Sequence, residues 1–144
     1  MQINPNLQIF TDGGSRGNPG QAGIGVVIKA ENRGTVGKIS SAIGTATNNE
    51  AEYQALIYAL EYLSQNKNKL NLTSLSNINF FSDSTLLVNQ VNGLFKVKNS
   101  RMRDFIYRIR ELESQIPGKL IYNLIPREKN YEADLLVNKA LDKK

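Results

Sequence analysis

The sequence predicts a mixed α/β fold in one domain over residues 1–144, a five-stranded sheet flanked by helices. Three observations predict it. The first apolar segments are short, alternate or run continuously, and are joined by turn residues, which is the pattern of an antiparallel meander. From residue 48 the apolar period lengthens to that of a helix. Beyond it, strand-like and helix-like segments alternate. A meander followed by such alternation yields a mixed sheet with helices on its faces.

The elements follow in order. Residues 7–11 form a short strand, 22–30 ("AGIGVVIKA") a second and 36–44 a third, the last two joined by "ENRGT". A helix spans 48–65, with Ala51, Ala55, Leu56, Ala59, Leu60 and Leu63 in one stripe. Thr47 or Asn48 serves as its N-cap, and Glu50 lies in its first turn. "INFFSD" (78–83) reads as a buried strand, and 84–90 as a short helix. The helix over 100–114 turns Met102, Phe105, Ile106, Ile109 and Leu112 inward. Pro117-Gly118 breaks the chain, "KLIYNLI" (119–125) is the fifth strand, and 131–141 the last helix.

Composition excludes several function classes. The chain has no cysteine and no histidine. That rules out a Ser-His-Asp triad, a Cys-His pair and the usual zinc sites. Any bound metal must be a hard cation on oxygen ligands, such as Mg²⁺ or Mn²⁺. No apolar run reaches the roughly 20 residues that span a bilayer. No signal peptide is evident in "MQINPNLQIF". A cytoplasmic monomer is the expectation, with no membrane association and no evident protein partner. Net charge is +5, and the segment from Gly93 to Arg110 carries all of it. There Lys96, Lys98, Arg101, Arg103, Arg108 and Arg110 face a single acid, Asp104. Such a cluster is either a solvated helix face or the footprint of a polyanion.

Four acids stand where acids are costly. Asp12 and Asp83 follow directly on strands, where ligands gather in open α/β sheets. Glu52 shares the inner side of its helix with Ala55 and Leu56, and Asp134 lies on the stripe of Val137 and Leu141. Each has an ordinary explanation taken alone: a turn for Asp12, helix caps for Asp83 and Asp134, a favourable first-turn charge for Glu52. Four together at one sheet edge are better explained by cations, because a buried carboxylate must be paired or coordinated. Two divalent ions about 3.5–4 Å apart can hold a phosphodiester for hydrolysis. The glycine-rich "TDGGSRGNPG" is no nucleotide cradle: neither "GKS" nor "GKT" follows, and it leads into a strand rather than a helix.

Five stretches in order resemble type 1 ribonuclease H: "FTDGGSRGNPGQAGIGVVI" (10–28), "TNNEAEYQALIYAL" (47–60), "FSDSTLLVNQVNG" (81–93), "FKVKN" (95–99) and "REKNYEADLLVNKAL" (127–141). The resemblance implies the ribonuclease H-like fold and two-metal cleavage of the RNA strand of RNA–DNA hybrids, leaving 5′-phosphate and 3′-hydroxyl ends. It implies that Asp12 bridges two Mg²⁺ or Mn²⁺ ions, that Asp134 shares the one activating water, and that Glu52 and Asp83 hold the one at the leaving oxygen. Gly13, Gly14, Ser15, Asn18, Asn48 and Ser84 are implied to contact the RNA, whose 2′-hydroxyls mark it. Thr47 and Asn49 resemble a DNA-phosphate pocket. Phe95 stands where many relatives have Trp, beside Lys96 and Lys98, and is either a platform for the DNA sugar or a core aromatic.

Two departures from the family pattern stand out. The loop before Asp134 lacks the family's histidine, and Arg127 or Glu128 is implied to replace it in part. The long basic handle of some members is absent, and the short basic segment after Gly93 is expected to substitute for it. Two other readings compete with the enzyme: a hybrid- or duplex-binding module that does not cleave, and the ribonuclease domain of a larger polymerase. The intact acids oppose the first. The Met1 start and the complete last helix predict a stand-alone enzyme rather than the second.

Overall fold

The computed structural model describes residues 6–143; the expected domain 1–144 includes 1–5 and 144, which lie outside the described residues. The elements run β1 (Leu7–Gly17), β2 (Gly20–Ala30), β3 (Gly34–Ala46), α1 (Asn48–Gln65), β4 (Asn77–Ser82), α2 (Thr85–Val91), α3 (Ser100–Glu113), β5 (Lys119–Leu124), a 3₁₀ turn (Arg127–Asn130) and α4 (Tyr131–Asp142). The sheet has five strands in the order β3-β2-β1-β4-β5. The β1–β2 and β2–β3 pairs are antiparallel, while β4 runs parallel to β1 and β5 parallel to β4. This is the mixed sheet that the segment order predicts.

One difference is informative. The first strand does not end at Thr11. It continues through the glycines to Gly17, paired with β2 along its full length, from Leu7 opposite Ala30 to Gly17 opposite Gly20. Poor strand formers are carried by the ladder's hydrogen bonds, because cross-strand context outweighs intrinsic propensity. Only Asn18 and the cis-linked Pro19 form the turn. The glycines meet close neighbours as well: a Cβ on Gly13 would come within 2.2 Å of the Ala51 carbonyl oxygen at the start of α1, and one on Gly25 within 2.2 Å of the Ala133 oxygen of α4. Gly13 therefore lets α1 dock on β1, and Gly25 lets α4 dock on β2.

Alternation along β1 divides its two faces. Leu7 and Ile9 join a core with Ile24, Val26, Ile28, Tyr53, Leu56, Leu60 and Leu63 beneath α1, completed by Ile109 and Leu112 of α3. Of the stripe expected on α3, Ile109 and Leu112 are buried, while Met102, Phe105 and Ile106 are half-buried against that core. Helix α4 covers β2, β3 and the upper part of β1. Thr47, not Asn48, is the N-cap of α1: its hydroxyl accepts from the Glu50 amide at 3.1 Å, and the Glu50 carboxylate accepts from the Thr47 amide at 2.8 Å. This reciprocal box satisfies two amides that a helix start leaves unpaired.

Candidate active site

The parallel register brings the first two acids together. Pairing of β1 with β4 stops at Phe10 opposite Phe81. Two residues further along each chain segment stand Asp12, within β1, and Asp83, just past the end of β4, with carboxylate oxygens within 4.8 Å of each other. The Thr11 carbonyl lies between Phe10 and Asp12 in sequence and register. Asn130 Nδ2 donates to it at 2.9 Å, tying the start of α4 to the residue before Asp12. The close approach at Gly13 delivers Glu52. Its Oε1 accepts from the Gly13 amide at 3.0 Å, which fixes the carboxylate beside β1.

Asp12, Glu52 and Asp83 each place a carboxylate oxygen within 4.8 Å of the other two. Asp134 joins from α4 as a lining residue of the same pocket, near enough to Asp12 to raise its pKa. All four line one open pocket of about 760 Å³, with Gly13, Gly14, Ser15, Asn48 and Arg127. Asp12 is only 8% exposed. Burial, then the neighbouring Asp83 and Asp134 carboxylates, push its pKa up to about 8. Burial also drives Glu52 well above the usual carboxylate range, with Asp12 and Asp83 adding to it and the Gly13 amide opposing. The sole ion pair within the cluster, among the described residues, is a loose one: Arg127 Nε lies 4.0 Å from Asp83 Oδ2, with the Arg127 side chain 86% exposed. One remote guanidinium does not balance four carboxylates. An oxygen-only donor set under such strain fits hard divalent cations.

The remaining expected residues divide into groups. Ser15, Asn18 and Asn48 form one hydrogen-bonded knot where the β1–β2 hairpin meets α1. Asn48 Oδ1 accepts from the Ser15 amide at 2.9 Å and from its hydroxyl at 3.1 Å, and the Asn48 amide donates to Asn18 Oδ1 at 3.0 Å. Gly14 has its nearest neighbours for a Cβ at 3.8 Å, so its face is open toward the pocket, unlike that of Gly13. Thr47 is engaged as the cap of α1, while Asn49 is exposed beside it. Ser84 is the N-cap of α2, its hydroxyl accepting from the Leu87 amide at 3.2 Å. Phe95 is 48% exposed, and Lys96 and Lys98 are exposed on the same segment, so Phe95 is not a core aromatic.

The structure separates residues that the sequence groups together. Glu128 does not join the acids: it lines a separate hollow with Phe10, Lys29 and Tyr131, because the 3₁₀ turn points successive side chains in different directions. The basic segment is also not one uniform patch. Arg101 pairs with Glu50 at 2.8 Å, Arg108 with Glu61 at 3.1 Å and Glu111 at 2.7 Å, and Arg110 with Glu113 at 3.1 Å. Lys96, Lys98 and Arg103 have no ion-pair partner among the described residues.

Two polar residues beside the site carry little sequence signal. Asn130 and Asn138 flank Asp134 four residues to either side, and Asn138 Nδ2 reaches its carboxylate at 3.5 Å. That i±4 spacing is the only mark they bear. Arg16, exposed in the hairpin, pairs with Asp142 at 2.6 Å and clamps the hairpin tip to the end of α4. No helix among the described residues is long and apolar enough to cross a membrane.

Comparison with known proteins places the chain. A family model described as reverse transcriptase-like matches residues 10–140. The bifunctional protein Rv2228c of Mycobacterium tuberculosis is 40% identical over 135 residues, covering 93% of this chain and 35% of its own length. The ribonuclease HI of Halobacterium salinarum is 38% identical over 136 residues, covering 94% of this chain and 64% of its own. The chain thus spans between 35% and 64% of these curated relatives. Among solved structures, LC11-RNase H1, isolated from compost by a metagenomic approach, superposes with a TM-score of 0.86 at 43% identity, with 97% of each chain covered. The same protein in complex with an RNA/DNA hybrid gives a TM-score of 0.86, covering 95% of this chain and 97% of that one. A matched family model over residues 10–140, ribonuclease HI relatives and a shared fold lead to one conclusion: this chain belongs to the type 1 ribonuclease H family.

Proposed function

We propose that the protein is a divalent-metal-dependent endoribonuclease that cuts the RNA strand of RNA–DNA hybrids, leaving 5′-phosphate and 3′-hydroxyl ends. The observation that carries this reading is the convergence of Asp12, Glu52 and Asp83 within 4.8 Å in an open pocket, with Asp134 beside them. A purely structural role would bury such acids against arginine or lysine; a non-cleaving binder would gain nothing from negative charge facing phosphates. The hybrid complex of LC11-RNase H1 adds support from a relative at 43% identity.

Asp12, Glu52, Asp83 and Asp134 would hold two Mg²⁺ or Mn²⁺ ions, Asp12 contributing to both, Asp134 to the one that activates water, and Glu52 and Asp83 to the one at the leaving oxygen. When bound, the ions supply an activated water and charge neutralisation at the phosphodiester and the departing 3′ oxygen. The chain's own groups prepare the site. The Gly13 amide orients Glu52, and Asn130 sets the start of α4 against β1. Asp12 would give up its proton on loading, since a carboxylate coordinates only when ionised. Arg127, close to Asp83 and otherwise free to swing, meets the scissile phosphate or the product and takes part of the role of the absent histidine.

Strand choice rests on two surfaces. Gly14, the Gly13–Ser15 backbone, Asn18 and Asn48 read 2′-hydroxyls on the RNA side. Thr47, Asn49, Phe95, Lys96 and Lys98 hold the DNA strand, with phosphate contacts at α1 and sugar packing on the Phe95 ring.

The test is one assay on labelled RNA–DNA hybrid, duplex RNA and duplex DNA, each with and without Mg²⁺ or Mn²⁺. The expected result is metal-dependent cutting of the RNA strand in the hybrid alone. Intact hybrid under all conditions would refute the reading.

A further inference from the structure

The segment between α2 and α3 poses a question of support. From Asn92 to Asn99 every side chain is exposed except the half-buried Val97. An exposed segment of this kind has almost no apolar anchor, yet it presents Phe95, Lys96 and Lys98. Its backbone is held in part by its own turn: the Leu94 and Phe95 amides donate to the Asn89 carbonyl at 2.8 and 3.1 Å. One side chain also reaches it from the core. Gln90, only 8% exposed on the inner face of α2, donates through Nε2 to the Lys96 carbonyl at 3.1 Å.

Gln90 is itself held. Its Oε1 accepts from the hydroxyl of Tyr53, which is wholly buried in α1 and directly follows Glu52. Both functional ends of the Gln90 amide are thus used, one toward the core and one toward the exposed segment. A buried amide in this arrangement fixes orientation, because either end left unpaired is costly.

We infer that Gln90 is a positioning residue for the DNA strand, and that the chain Tyr53–Gln90–Lys96 sets the attitude of the Phe95–Lys98 segment toward the hybrid. The inference rests on the proposed hybrid substrate. It assigns Gln90 a role in binding rather than in the chemical step, because its bonds end on the substrate-facing segment and touch none of the four carboxylates. It also explains how a chain without a long basic handle keeps this short segment in place.

Two variants test it. Gln90→Glu keeps the acceptor for Tyr53 and turns the donor that faces the Lys96 carbonyl into a second acceptor. Tyr53→Phe is milder and leaves the Gln90–Lys96 bond unsupported. KM for the hybrid is expected to rise about tenfold for Gln90→Glu and a few-fold for Tyr53→Phe, with kcat changed less than about twofold. In a Phe95→Ala background most of the Gln90→Glu effect on KM disappears, because the two act on one contact. A purely structural role would lower kcat and melting temperature and leave the cycle additive. Unchanged KM in folded Tyr53→Phe and Gln90→Glu, a fall in kcat alone, or full additivity with Phe95→Ala overturns the inference. A wild type that binds hybrid without cutting it refutes only the enzymatic reading, and the same variants are then read by Kd with the same expected ratios. A wild type that neither binds nor cuts hybrid overturns both.

Discussion

The carboxylate pocket and helix α3 are the two regions of concentrated charge, and they are handled in opposite ways. On α3, Arg101, Arg108 and Arg110 each meet a carboxylate within 3.1 Å, with the arginine side chains 42–63% exposed. Such exposed pairs contribute little and ask for nothing further. In the pocket, Asp12, Glu52 and Asp83 crowd within 4.8 Å, with Arg127 4.0 Å from one of them. Burial and mutual repulsion hold protons on Asp12 and Glu52 that ordinary carboxyls have released. Abundant charge along a sequence is therefore a poor guide to function. Charge left unbalanced in a buried place is a better one, since it identifies where a ligand of opposite sign lowers the free energy most.

Removing a single carboxylate is the strongest way to break the contrast. Asp12→Asn is expected to lower hybrid cleavage by at least about 10³-fold with Mg²⁺ or Mn²⁺, since it strips a ligand from the charge that stabilises the transition state. The fold survives, and without metal at alkaline pH the variant melts above the wild type because one repelling charge is gone. Cleavage kinetics and thermal melts check both halves. Undiminished cleavage would remove Asp12 from the metal site.

The same crowding yields a pH signature of intermediate size. Asp12 titrates near its ordinary 3.8 when unfolded and near 8 in the metal-free fold. Across that window the native state holds a proton that the unfolded chain has released, so stability falls as pH rises and is highest at the acid end. Glu52, raised in the same direction, adds to the slope. Divalent metal reverses the trend, since coordination favours the ionised carboxylates, and loading below about pH 8 releases protons. Denaturant melts at several pH values, with and without Mg²⁺, report the two opposite slopes. A metal-free stability that is flat or rises with pH from acid to alkaline conditions would show that these acids are not strained.

The smallest effect sharpens the contrast within the basic segment itself. Replacing the unpaired Lys96, Lys98 and Arg103 by Gln is expected to weaken hybrid binding. The slope of log K against log salt should flatten by roughly 0.7–0.9 for each phosphate that the protein no longer neutralises. Replacing Arg108, whose charge is already matched by Glu61 and Glu111, leaves the slope as it was. Equal slopes for both variants would make the whole segment a solvated face.

Much of the architecture was legible in the residues because it is locally encoded. The stripe of Ala51, Ala55, Leu56, Ala59, Leu60 and Leu63 marks α1, and all six are buried on it. "INFF" marks a strand with covered residues, and Pro117-Gly118 a break before β5. The length of β1 was not legible: the apolar pattern ends at Thr11, and Gly13, Gly14 and Gly17 become strand only through pairing with β2. Thr47 and Ser84 were legible as polar residues at helix starts, but their use as caps needs the geometry of the first turn. Glu128 stood beside Arg127 as an equal candidate in the loop before Asp134. Only the path of the 3₁₀ turn separates them, sending one toward Asp83 and the other toward Phe10 and Lys29.

By itself the sequence determined the donor chemistry and the element order. A chain without histidine or cysteine can offer a metal only oxygen, and apolar periodicity is a property of neighbours along the chain. The tertiary structure alone decided which charges meet. The register that sets Phe10 opposite Phe81 brings Asp12 beside Asp83, and the Cβ-free surface of Gly13 admits the helix that carries Glu52. It likewise decided that three arginines of α3 are matched while the pocket is not. The physical reason is that Coulomb energy and desolvation depend on distance and burial between residues far apart in sequence, which no local pattern records.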